Sequence, residues 1–77
     1  MEIQLTDVTL HVDENLESGR RQELDTALRA VNGVVSVHNP DAKPHLIMVE
    51  YNPDSTTSRA LLDCVLEKGV HAELIGL

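Results

Sequence analysis

Four histidines, thirteen carboxylates and one cysteine are the side chains of this 77-residue sequence best able to hold a metal or move a proton. Cys64 stands alone, so the chain can form neither an intrachain disulfide nor a thiolate pair. Among the histidines, His11 and His71 are the candidate ligands, with a nearby acid, Glu17, completing the set. If the last strand lies beside the first, the two rings meet close to Asp13, Glu14 and Glu17. A His11/His71 pair with one acid suits Zn(II), Ni(II) or Co(II) better than Cu(I). The plainer reading is that these are surface histidines on a polar sheet face, since protein metal sites ordinarily draw three or four ligands. Catalysis has less support. No glycine-rich phosphate loop, HExxH pair or nucleophile elbow occurs. Cys64 falls on the inner face of a predicted helix, where cysteine acts as a small hydrophobe. The sequence therefore predicts no catalytic residues and no enzyme.

The elements that position these residues follow from periodicity. From Ile3 to Val12 apolar residues alternate, with a slip of phase at Thr6-Asp7 that predicts a bulge or a late strand start. Val8, Leu10 and Val12 then face a core, and Thr9, His11 and Asp13 face the other way. A helix follows, with Asn15 as its candidate N-cap and Glu17 near its N-terminus. Leu24, Ala27, Leu28 and Val31 make its apolar stripe, and Asn32-Gly33 ends it. Val34–His38 reads as a second strand, the cluster from Asn39 to Pro44 as a turn, and His45–Tyr51 as a third strand. Asn52-Pro53-Asp54 breaks that strand, and Ser55 or Thr56 caps a second helix that buries Leu61, Leu62, Cys64 and Val65. Gly69 stops it, and His71–Ile75 alternates as a final strand.

The order βαββαβ predicts an α+β, ferredoxin-like sandwich: a four-stranded antiparallel sheet in the order 4-1-3-2, with two helices on one face. The other face is open. By alternation it presents Thr9, His11, Ser36, His38, Leu46, Met48, Glu50, Glu73 and Ile75. Leu46, Met48 and Ile75 form an apolar patch framed by polar residues, the composition of a docking surface. His38 and His45 are expected to flank the hairpin turn at the end of the sheet opposite His11.

Three short stretches carry a resemblance that spans nearly the whole chain: Gly33-Val34 after the amphipathic helix, Val49-Glu50-Tyr51-Asn52-Pro53 closing the third strand, and Glu67-Lys68-Gly69-Val70-His71-Ala72-Glu73-Leu74 at the end. In their order and spacing they resemble heavy-metal-associated domains, the copper chaperones and N-terminal modules of metal-transporting ATPases. That resemblance implies the ferredoxin-like fold and, in the family, soft-metal binding through Met-x-Cys-x-x-Cys at the end of the first strand. Here the two cysteine positions fall at about Glu17 and Arg20, with Asn15 near the methionine position. Neither side chain can replace a thiolate toward Cu(I), so the family's metal transfer is not expected. Val70 also stands where the family often has an aromatic residue.

Composition bounds what remains. Hydrophobic residues make up 42% and charged residues 25%, as in a globular protein, and the length predicts one domain over residues 1–77. The net charge of −7 and the lone aromatic Tyr51 argue against nucleic acid, which wants cations and stacking platforms. The start Met1-Glu2-Ile3-Gln4 lacks a signal-peptide pattern and no apolar run could span a bilayer, so a cytoplasmic location and no membrane partner are expected. The preferred expectation is a non-catalytic, degenerate heavy-metal-associated domain acting as a protein-interaction or regulatory module, with an unknown protein partner or self-association and no cofactor. Two alternatives stand beside it: a divalent-metal-binding protein using His11, His71 and a nearby acid, and a small-molecule-sensing domain, which rests on fold analogy alone.

Overall fold

Residues 4–75 are described in a computed structural model of the chain. The elements run β1 (Thr6–Val12), α1 (Ser18–Arg29), β2 (Val34–His38), β3 (Leu46–Tyr51), α2 (Ser58–Leu66) and β4 (Ala72–Ile75). The strands form one sheet in the order β2-β3-β1-β4, which is the predicted 4-1-3-2 order seen from the other edge. All three pairings are antiparallel. The fold class is the expected α+β ferredoxin-like sandwich.

Alternation along β1 decides which side of the sheet becomes core. Val8, Leu10 and Val12 are buried, and they pack with Leu24 and Leu28 of α1, Leu61, Leu62 and Val65 of α2, and Ile47, Val49 and Tyr51 of β3. Val70, in the aromatic position of the resemblance, is also buried in this core. The phase slip at Thr6-Asp7 marks a late strand start, not a bulge: pairing with β3 is unbroken from Thr6↔Tyr51 to His11↔Leu46. Ile3, the first residue of the alternating stretch, lies outside the described residues, and Leu5 is exposed. The bulge falls instead in β2, where register shifts between Val34 and Ser36 and leaves Val35 as the extra, exposed residue.

Two helix caps differ from expectation. The N-cap of α1 is Glu17, with no side-chain hydrogen bond to the helix, because Asn15 is drawn to His45 (below). In α2 the cap is Thr57, whose hydroxyl accepts from the Ala60 N–H at 3.1 Å. Gly33 ends the α1 region as predicted, and its glycine is required. Its φ is +100°, its carbonyl accepts from the Asn52 N–H at 2.8 Å, and an added Cβ would lie 2.6 Å from the Ser55 Cβ.

Candidate functional site

The face of the sheet away from the helices carries the side chains at the alternate positions. Cross-strand register arranges them in rows. Ser36, Glu50 and Asp7 form one row, and His38, Met48, Thr9 and Ile75 the next. Leu46, His11 and Glu73 form a third, nearer the β1–α1 loop. Met48 and Ile75, both more than a third exposed, flank Thr9 from either side, and Leu46 is half-buried beside His11. The expected patch of Leu46, Met48 and Ile75 is thus one neighbourhood on one face. Asp7, Thr9, Ser36, His38, Met48 and Glu50 line a shallow depression of about 250 Å³.

Charge is sorted sharply between elements. The four strands contain Asp7, Glu50 and Glu73 and no lysine or arginine. All six cations lie on the helices, just beyond α2, or in the β2–β3 loop. Several are committed to holding the fold. Arg21 of α1 donates to the Asn39 side-chain oxygen at 2.7 Å and reaches Asp41 at 3.2 Å. The Asn39 amide in turn donates to the carbonyls of Pro44 and Leu46 at 3.0 and 2.6 Å, so the hairpin loop is tied to α1. Arg29 donates to the Val37 carbonyl at 2.8 Å.

The β1–α1 loop, where the resemblance would place a pair of thiolates, is built from other chemistry. Glu17 is the exposed N-cap of α1. Arg20 bonds Glu23 at 2.7 Å and also donates to the Lys68 carbonyl, tying α1 to the turn before β4. Glu14 accepts the His71 backbone N–H on both carboxylate oxygens, at 2.9 and 3.0 Å, and lies 3.0 Å from the His71 ring Nδ1. That backbone hydrogen bond, first among the causes, holds the Glu14 carboxyl below its ordinary pKa. Cys64 is half-buried against the core on α2, and burial, aided by Glu67, pushes its thiol pKa up. A two-thiolate site for Cu(I) does not fit these residues.

The histidines are distributed differently from expectation. His38 and His45 are at the same end of the sheet as His11, not the opposite one. The reason is topological: β1 and β2 both pair antiparallel with β3, so they run parallel to each other and end together. His45 sits against the end of β1, with Nδ1 2.6 Å from the Val12 carbonyl and Nε2 2.8 Å from the Asn15 side chain. Its ring stacks on His11, with centroids 5.8 Å apart and planes 16° from parallel. His71 precedes β4, its ring is exposed, and its partner is Glu14. The candidate ligand atoms that come within 4.8 Å of one another among the described residues belong to His11, Asp13 and Glu73; His71 and Glu17 are outside that group. Asp13 could be found from sequence, since it follows His11 at the two-residue spacing of one strand face. Glu73 could not, because its place opposite His11 depends on the β1–β4 register.

No protein-family model matches the sequence, and no curated protein matches it. Solved structures do. The N-terminal domain of a potential copper-translocating P-type ATPase from Bacillus subtilis, solved in its Cu(I)-loaded state, superposes with a TM-score of 0.85 at 19% identity, over 95% of this chain and 90% of that one. Oxidized MerP from Ralstonia metallidurans gives a TM-score of 0.84 at 19% identity, over 95% of this chain and all (100%) of that one. A yeast copper transporter domain gives 0.81 at 21% identity, covering 91% and 94%. The fold is that of the heavy-metal-associated domains. At such identities the likeness speaks for architecture, and the site must be argued from this chain's own residues. Among the described residues no helix is long and apolar enough to cross a membrane.

Proposed function

We propose that this chain is a non-catalytic binding module that keeps the heavy-metal-associated fold, carries no metal through a thiolate pair, and docks a basic, partly apolar protein segment on its open sheet face. The carrying observation is the composition of that face: Met48 and Ile75 exposed on either side of Thr9, with Asp7, Glu50 and Glu73 around them and no lysine or arginine in any strand. An apolar centre within a polar, single-sign rim supplies burial for affinity and charge for steering and orientation. The partner chemistry follows by complementarity with the net charge of −7: cationic side chains flanking aliphatic ones. Non-catalytic action agrees with an open face that encloses no substrate, since catalytic groups depend on a desolvated setting to shift their pKa. The neighbours of known structure include copper-binding and copper-transporting domains, and soft-metal carriage of that kind is not proposed for a chain whose one cysteine packs on α2.

The test is binding of a fluorescently labelled peptide of alternating lysine and leucine, followed by polarisation. The full chain should bind it, and binding should weaken as salt rises. Met48→Asp should lose most of the affinity while the thermal melt is kept. Equal binding by wild type and Met48→Asp would remove the open face as the docking surface.

A further inference from the structure

The third row of the open face holds a group from which the docking reading uses only the charge of Glu73. His11 lies near the end of β1 and Asp13 is the first residue beyond it, where the Asp13 N–H donates to the His71 carbonyl at 2.9 Å and continues the pairing toward β4. Glu73 of β4 is the register partner of His11. One ligand atom from each of the three lies within 4.8 Å of the others. The His11 Nδ1 is fully enclosed yet has no hydrogen-bond partner. The Asp13 Oδ1 is 3.3 Å from it, in a geometry that makes an ion-pair contact but not a hydrogen bond. A shielded imidazole nitrogen with nothing bonded to it, next to two carboxylates, is an arrangement that a cation would complete.

We propose that His11, Asp13 and Glu73 form a binding site for a divalent cation of borderline hardness, with Zn(II) as the representative ion, at the loop end of the open sheet face. One imidazole and two carboxylates are a nitrogen and oxygen donor set suited to Zn(II), Co(II) or Ni(II), and not to Cu(I). Tetrahedral ligand distances of about 2.0–2.2 Å would bring donor atoms to about 3.3–3.6 Å from each other. Contraction from separations of up to 4.8 Å asks the exposed Asp13 and Glu73 carboxylates to rotate toward the half-buried His11 ring, and the Asp13 side chain is 60% exposed. Strands β1 and β4 supply His11 and Glu73, and Asp13, just past β1, is held beside them by its N–H bond to the His71 carbonyl. His45 acts as the positioning residue. Its stacked ring holds the imidazole of His11, and its own nitrogens are engaged by Val12 and Asn15. Three protein ligands leave a coordination position open to water or to a group from a partner.

The test is titration of the full chain with zinc chloride at neutral pH, by calorimetry and by the nitrogen-15 shifts of the histidine rings, with no peptide present, so that its outcome is separate from that of the docking reading. One ion per chain is expected, with the His11 ring resonances moving and those of His38 unchanged. His11→Gln and Glu73→Gln should each weaken binding by at least the ~10–100-fold that loss of an outer-shell partner commonly causes. Asp13→Asn should do the same, and His71→Gln should bind as wild type. All four replace exposed or half-exposed side chains, and circular dichroism checks that each variant is folded. Absence of binding, undiminished binding by folded Glu73→Gln, or loss of binding in His71→Gln would overturn the assignment.

Discussion

Leu10 and His11 are adjacent in β1 and live in different worlds. Leu10 is completely buried, packed among the apolar residues of both helices. His11, one peptide further, faces outward between Leu46 and Glu73. Every strand repeats this contrast in some degree. The inner face is aliphatic apart from Tyr51 and contributes the stability of a small chain, and the outer face is free to vary in charge and polarity because little packing depends on it. The core and the proposed docking surface are therefore written on alternate residues of the same strands. That separation explains how a chain can superpose closely on copper-binding domains while sharing under a quarter of their residues.

The contrast predicts a graded set of outcomes. The largest effect belongs to the inner face: Leu10→Ala should cost about 2–5 kcal/mol in chemical denaturation, from lost burial and the cavity left behind. If Leu10→Ala cost no more than an exposed substitution, the division between the faces would fail. Next comes Gly33→Ala, where positive φ and the approach of Ser55 should together cost about 1–3 kcal/mol. Thr57→Ala, which removes the α2 cap, should cost about 1 kcal/mol by the same measurement. On the outer face, Met48→Asp should change stability by no more than about 0.5 kcal/mol and still lose the peptide.

The smallest effect is pH-dependent. Glu14 has a folded-state pKa below its ordinary 4.5 because it accepts the His71 N–H. A depressed carboxyl stabilises the fold above its unfolded pKa, and that contribution disappears as pH falls through the folded value. Glu14→Gln should therefore melt slightly below wild type at neutral pH, and the two should converge in acid below that pKa. A gap that widened on acidification would show that Glu14 does not anchor the turn before β4.

Much of this architecture was legible because local and global signals agree. Val8, Leu10 and Val12 in strict alternation, Leu24 and Leu28 at helical spacing, and Gly33 after Asn32 each point to the element found. The α2 cap was harder to read: Ser55, Thr56, Thr57 and Ser58 all carry hydroxyls, and only the backbone at Thr57 chooses among them. The open-face rows were legible from alternation, including Leu46, Met48 and Ile75. The candidate cation group was only half legible. His11 and Asp13 are two residues apart in sequence, but Glu73 joins them through register, and β4 is too short for its sequence to set that register. The end of the sheet that holds His38 and His45 is not legible in sequence, because it depends on β1 and β2 running parallel on either side of β3, a relation between elements that no single segment encodes.

The most direct test of the docking face is a two-dimensional amide NMR titration of the isotopically labelled chain with the lysine-leucine peptide. The largest shifts are predicted along Asp7, Thr9, Met48, Glu50 and Ile75, with Leu28 and Leu62 on the helical side nearly unmoved. Shifts concentrated on α1 and α2, or none at concentrations where a control acidic peptide behaves identically, would contradict an acidic, apolar-centred binding surface on the open sheet.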